Sequence, residues 1–264
     1  MNKGKCYICN DQYSDRGIVK HIELCLIKNK EAKIAKENNK NKESAFLIKV
    51  YGKFNNGYYL YLLVDECVLL SEIDQYLRDI WVDCCGHLSK FTIDGVNYER
   101  YPDNGWRHTE DMEVSIDEVL NTGSTFSYIY DYGSSTHLEL KVIEKYEPLF
   151  KDKGIRLIGR NMPREYECDY CHNIAEFEFE DIYLGNKGVV CKSCMDKIMS
   201  MKEDKDEIFF GNIINSPRVG VCGYGGPADD IMFVKHRGSK KHKKKNTKER
   251  EKVKYLEYTN NSHD

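Results

Sequence analysis

The chain lacks an apolar run long enough to cross a membrane. Its longest candidate, Tyr58 to Leu70, is interrupted by Asp65 and Glu66. Its first residues, Met1-Asn-Lys-Gly-Lys-Cys6, contain no apolar signal region. These two absences predict a cytoplasmic protein with no membrane partner, in a compartment where thiols stay reduced. No Gly-Lys-Ser/Thr follows the glycine-rich loop, so that loop is not a Walker-type phosphate cradle. No RNP-type motif accompanies the aromatic strands. A strong net charge is missing too: 40 Lys and Arg against 43 Asp and Glu leave −3, too little to make the whole molecule a polyanion binder.

What is present is cysteine. Eleven cysteines in 264 residues, in a reducing compartment, point to metal before disulfides. The length suffices for one substantial core plus small appendages.

Cys6-x2-Cys9, eleven residues, then His21-x3-Cys25 is the first ligand set. A tetrahedral zinc takes two ligands from such a knuckle and two from one face of a helix. His21 and Cys25 are four apart, so a helix presents both on one side, and Ile18, Ile22 and Leu26 form a matching apolar stripe. Over about twenty residues this set resembles the small CCHC-type fingers, including the Rad-eighteen-type ubiquitin-binding class. The resemblance implies a zinc module that can grip a protein partner through its helix, and related fingers bind nucleic acid.

Cys168-x2-Cys171, nineteen residues, then Cys191-x2-Cys194 is the second set and the strongest chemical signal in the chain. Strands over Ile174–Phe179 and Val189-Val190 would pair around Gly185–Gly188, and Met195–Met201 has a helical pattern. Knuckle, hairpin and helix together look like a zinc ribbon or treble clef. Four thiolates leave no open position for water, so this Zn2+ is expected to be structural. The cofactor expectation is therefore two structural zinc ions.

Between these sets, Ala45–Tyr51 and Tyr58–Val64 read as a hairpin, Leu69–Trp81 as a helix with Ser71 as a possible cap, and Phe91–Tyr98 as a strand. A short helix over Ser115–Leu120 precedes two strands joined at Asp131-Tyr-Gly133. This order predicts an α+β domain with a mainly antiparallel sheet and packed helices, flanked by the two zinc modules. The expected units are a finger over 1–28, a connector over 29–43, the α+β domain over 44–160, a four-cysteine module with a glycine-rich loop over 161–230, and a basic tail over 231–264.

Two motifs in the central domain carry a further resemblance. One is Ile80-Trp81 followed by His87-Leu-Ser-Lys-Phe91; the other is Tyr128-Ile-Tyr-Asp131-Tyr-Gly133-Ser-Ser-Thr-His137. Over roughly residues 44–145 the chain resembles the Ri-plasmid ORF-3-like proteins, which include TnpR-like passenger proteins of insertion elements. The second block is one residue shorter here, lacks the family's Trp and has Ser134 where the family has Asp. The resemblance implies a mobile-element or defence setting and no particular reaction.

His87, Asp131 and His137 are of the chemical type to bind a catalytic metal, which gives a metal-dependent hydrolase as the alternative function. Against it, Asp131 would cap a turn, Gly133 would supply a positive φ, and His137 would bond across the sheet. Cys84 and Cys85, if on a strand, point opposite ways and would not both ligate. Cys222 is expected to be a packed lone thiol in a loop that docks back on the central domain. Tyr58, Tyr59, Tyr61, Phe126, Tyr128 and Tyr130 would either stack bases on an open sheet or fill the core, and the core is expected.

Lys235 to Lys254 holds eleven Lys or Arg and only two acids. Its dense run of Lys240, Lys241, Lys243, Lys244 and Lys245 suits a phosphate-bearing or acidic partner. Function is therefore expected to be binding: a zinc-containing interaction protein for nucleic acid or protein, with a protein-recognition scaffold built on the finger as a further alternative.

Overall fold

The computed structural model describes residues 3–29, 44–102, 109–147, 149–181, 185–201, 208–227 and 229–238. Beyond Asn29 the connector read over 29–43 lies outside these residues. So do Lys240, Lys241, Lys243, Lys244 and Lys245.

The central hairpin is β3 (Ala45–Gly52) and β4 (Tyr59–Asp65), paired from Ala45↔Asp65 to Tyr51↔Tyr59. Around it runs one large sheet, in which β1 (Lys3–Cys6), β2 (Gln12–Ser14), β5 (Ser89–Ile93), β6 (Val96–Glu99), β7 (Thr109–Asp111), β8 (Thr125–Tyr130), β9 (Thr136–Tyr146) and β10 (Gly154–Asn161) join in the order β2-β1-β10-β4-β3-β9-β8-β5-β6-β7. Every ladder in it is antiparallel except β6 with β7. The expected α+β class with a mainly antiparallel sheet is what the structure has.

β4 reads as a continuous apolar run because both its faces are covered, and all seven of its residues are buried. On one face lie α2 (Leu70–Leu77) and a wider π-type turn (Arg78–Val82), whose Ile73, Leu77, Ile80 and Trp81 pack on Ile48, Leu60, Leu62, Tyr128 and Leu140. On the other lies α1 (Ile18–Lys28), whose Ile18, Ile22 and Leu26 pack on Leu47, Tyr59, Tyr61, Leu63 and Ile158. The stripe read from the sequence is thus the finger's seam with the sheet, since each fully buried aliphatic side chain contributes about 1.5–3 kcal/mol. Ile22→Val is expected to cost about 0.5–1.5 kcal/mol, seen as a lower urea midpoint at unchanged m value.

Several expectations need correcting. The strand predicted over Phe91–Tyr98 is two strands, β5 and β6, turning at Asp94 and Gly95, both in the left-handed region (φ 48° and 82°). α2 is led by Leu69, whose N–H donates to Glu72 Oε2 at 3.0 Å, and Ser71 is not its cap. The six aromatic residues are each no more than 3% exposed, so they offer no face to a base. β10 was not foreseen. It borders β4 on one edge; on the other it pairs with β1 (Cys6↔Gly159) and with β14 (Phe233–Lys235; Ile155↔Val234). The segment read as a tail from residue 231 therefore begins with a strand, and the finger's first strand is part of the main sheet.

A second sheet, in the order β12-β11-β13, is made of β11 (Phe177–Asp181), β12 (Lys187–Val190) and β13 (Ile208–Asn212), beside α4 (Lys192–Met201). α3 (Ile116–Val119) is the short helix expected before β8.

Candidate metal centres

The two predicted ligand sets both converge. In the first, Cys6 ends β1 and the chain reverses at once. Asn10 N–H donates to Cys6 O (2.8 Å), Cys6 N–H donates to Asp11 O (3.0 Å), and Asn10 takes a left-handed conformation (φ 66°). The turn faces Cys9 toward α1, where Cys9 Sγ lies 3.2 Å from His21 Nε2. Tyr13 stacks on the imidazole at a 3.7 Å centroid distance, which fixes its plane. The ligand atoms of Cys6, Cys9, His21 and Cys25 all lie within 4.8 Å of one another.

The second set repeats the same turn. His172 N–H donates to Cys168 O (3.0 Å), Cys168 N–H donates to Asn173 O (2.7 Å), and His172 is left-handed (φ 62°). The other two ligands come from the start of a helix: Cys191 immediately precedes α4 and Cys194 lies in its first turn. Cys171 and Cys191 sulfurs are 3.5 Å apart, and all four thiols again fall within 4.8 Å. A hydrogen bond from Ser193 holds the Cys191 thiol down to about 6, whereas Cys194, bonded to the Cys171 sulfur and then buried, is pushed up to about 12. Thiols this close do not all ionise unaided, and a cation among them removes that conflict. Both sets fit a tetrahedral zinc in ligand type and number.

The three residues of the alternative catalytic site do not all meet. His87 Nε2 lies 3.6 Å from Asp131 Oδ2. Asp131 also accepts from Arg218 Nη2 (2.9 Å), and Arg218 Nη1 donates to Thr136 Oγ1 (2.8 Å). His137 follows Thr136 on β9, and successive strand residues point to opposite faces, so its ring lies across the sheet, edge-on to Phe54 at 5.3 Å. One metal cannot be shared by His87, Asp131 and His137.

Asp131 is instead a turn and ion-pair residue. Its Oδ1 accepts the N–H groups of Gly133 (2.9 Å) and Ser134 (3.2 Å). The hydrogen bond from Arg218 outweighs burial and keeps its carboxyl below the ordinary range. The positive φ of this turn belongs to Asp131 itself (64°), not to Gly133.

Sequence reasoning missed Arg218, whose side chain is fully buried and also donates to Ser134 O (3.0 Å) and Cys84 Sγ (3.2 Å). It docks the glycine-rich segment on the central domain, together with Trp81 Nε1–H to Asn215 O (3.0 Å) and Ser216 Oγ–H to Trp81 O (2.6 Å). Docking of that loop was expected; an arginine at its centre was not.

Cys84 and Cys85 are also placed differently from expectation. Residues 83–88 form a loop, not a strand: Asp83 Oδ1 accepts Gly86 N–H (2.7 Å) and Gly86 is left-handed (φ 71°). The reversal brings Cys84, Cys85 and His87 to one side, where Cys222 meets them and all four ligand atoms lie within 4.8 Å.

No family model and no curated protein matches the chain. Among solved structures it is similar to a protein of unknown function from Methanosarcina mazei Go1, at 14% identity and a TM-score of 0.35, over 40% of this chain. The matched part spans 63% of that protein's length. Among the described residues no helix is long and apolar enough to cross a membrane.

Proposed function

We propose that this is a zinc-stabilised binding protein, not a catalyst, and that its partner is a nucleic acid. The observation that carries the reading is that both predicted ligand sets are complete four-ligand clusters in separate parts of the chain. A filled tetrahedral set orders chain and leaves no coordination position for a reacting water. The C-terminal cluster, with a knuckle turn, an antiparallel hairpin and ligands at a helix start, is of the zinc-ribbon or treble-clef kind. The N-terminal one is of the CCHC finger kind. The motif residues Trp81, His87, Phe91, Tyr128 and Tyr130 support membership of the central domain in the Ri-plasmid ORF-3-like class, and with it a mobile-element or defence setting.

Nucleic acid is favoured by the run of eleven Lys or Arg between Lys235 and Lys254, set against an otherwise acidic chain. Full-length protein is expected to bind DNA or RNA at low salt with a steep salt dependence, and deletion of residues 239–264 is expected to flatten that slope. Negligible binding at low salt, or a slope indifferent to the deletion, overturns the assignment.

One observation favours a protein partner as a second reading. Leu24 and Ile27, three apart on α1, are 47% and 61% exposed, on the side of the helix away from the sheet. Under that reading Leu24→Asp with Ile27→Asp abolishes capture of the partner by the full chain without changing its metal content or its thermal midpoint by more than a few degrees.

A further inference from the structure

The loop over Asp83–Leu88 and the turn carrying Cys222 are 137 residues apart at Cys85 and Cys222, yet their sulfurs are 3.9 Å apart. That separation is far too long for a disulfide, whose S–S bond is about 2.05 Å. It matches the edge of a tetrahedron of sulfurs around zinc, about 3.8 Å for Zn–S bonds of about 2.3 Å. The comparable Cys171 to Cys191 separation in the four-cysteine cluster is 3.5 Å.

The surroundings suit a cation as well. His87 Nε2 is shielded from solvent and makes no hydrogen bond, so that ring nitrogen is free for a bond of another kind. Asp131 Oδ2 stands 3.6 Å from that same nitrogen, beyond hydrogen-bond distance, and so does not hold it back from a metal. Three thiolates and a neutral imidazole around a divalent cation leave one negative charge, which faces the Arg218 guanidinium, 3.2 Å from Cys84 Sγ and shared with Asp131. Backbone geometry builds the cluster from both sides: Gly86 turns one loop back, and Gly220, Cys222 and Gly223 are all left-handed in the other (φ 74°, 55° and 63°).

We propose that Cys84, Cys85, His87 and Cys222 form a third metal site, for a thiophilic divalent cation of the zinc class, which fastens the glycine-rich return segment to the end of the central sheet. The inference does not depend on nucleic-acid binding. The site differs from the other two in joining distant segments, and in having Cys85 and Cys222 exposed and His87 and Cys84 only partly covered. Its ion is therefore the most exchangeable of the three.

Native mass spectrometry of the full chain, purified without chelator or affinity nickel and loaded with Zn2+, tests this. Wild type is expected to carry three ions, and Cys222→Ser and Cys85→Ser two each. In a graded chelator titration the ion absent from those variants leaves first. Cobalt(II) loading gives a second readout: the thiolate-to-cobalt absorption falls by about a third in Cys222→Ser. Hydrogen exchange accompanies both, with amides of residues 213–224 losing protection in the variants while β3 and β4 keep theirs. Two ions in wild type with no change in either variant overturns the site. So does a wild-type chain lighter by two hydrogens that resists thiol alkylation at Cys85 and Cys222, because that is a disulfide.

Discussion

Cys194→Ser is expected to unfold the segment from Cys168 to Asn212 while the main sheet stays folded. The buried apolar residues of that segment are Cys168, Ala175, Phe179, Val190, Cys191, Cys194 and Ile208, with side chains such as Phe177, Val189 and Phe210 only partly buried around them, and three of the seven are themselves ligands. What remains is little for a unit this short, only slightly longer than the roughly 40 residues below which a metal or disulfides are generally needed. Structural zinc supplies about 10–16 kcal/mol in small zinc-finger peptides, at least as much as so small an apolar cluster contributes. Losing one thiolate removes most of that and leaves three crowded sulfurs with no cation held firmly among them. Hydrogen exchange with peptide-level resolution checks this: protection should vanish over β11 and β12 and persist over β3, β4 and β10. Retained protection over β11 in the metal-poor variant would mean that its apolar contacts suffice alone.

Asp74→Ala is expected to destabilise the whole central domain by about 3–5 kcal/mol, the scale for breaking a buried charge network. Asp74 is fully buried in α2. Its two oxygens accept from Arg78 Nε (3.0 Å), Ser89 Oγ (2.6 Å), Tyr128 Oη (2.7 Å) and Arg100 Nη2 (2.7 Å). Arg78 is itself buried, donates to Ser89 Oγ (2.6 Å) and lies over the Tyr130 ring. Deleting the carboxylate leaves that guanidinium with only Ser89 Oγ and the more distant Asp83 Oδ2 (3.7 Å), and leaves two hydroxyl donors unpaired in a place water does not reach. Urea denaturation should show a much lower midpoint at unchanged m value. The pair Asp74→Ala with Arg78→Met should recover part of the loss, because the second change removes the stranded charge. A single-variant cost below about 1 kcal/mol would show that the network contributes little net stability.

How much of this was legible follows the length scale of each interaction. Both flanking ligand sets were readable because a knuckle and a helical turn are local: Cys6 and Cys9, or His21 and Cys25, are held by hydrogen bonds spanning four or five residues. The central hairpin was readable from its apolar runs and the glycine turn. The cluster around Cys84 was not, because its fourth ligand arrives from the far end of the chain and because two adjacent cysteines were placed on a strand that Gly86 prevents. β10 escaped because Leu157 to Gly159 contains a register shift against β4, which breaks the two-residue alternation that marks a strand. The Asp94-Gly95 pair was a turn signal available in the sequence, and the apolar residues on either side of it concealed the break. Arg218 carried no local signal, since a buried arginine is recognised only by the acceptors that surround it.

The shared edge of β10 has a consequence for how such a protein can change over generations. Its C-terminal half is bordered by a strand from the beginning of the chain and its N-terminal half by a strand that follows the second cysteine cluster. Units that look separable along the gene are therefore neighbours on one seam. Recombination that removed the leading finger would bare the backbone of Gly159–Asn161, and one that ended the gene at the second cluster would bare Gly154–Arg156, in each case leaving an open strand able to pair with another molecule. Lineages that keep the central sheet soluble should then gain or lose the two flanking pieces only together with a replacement for the strand each one lends.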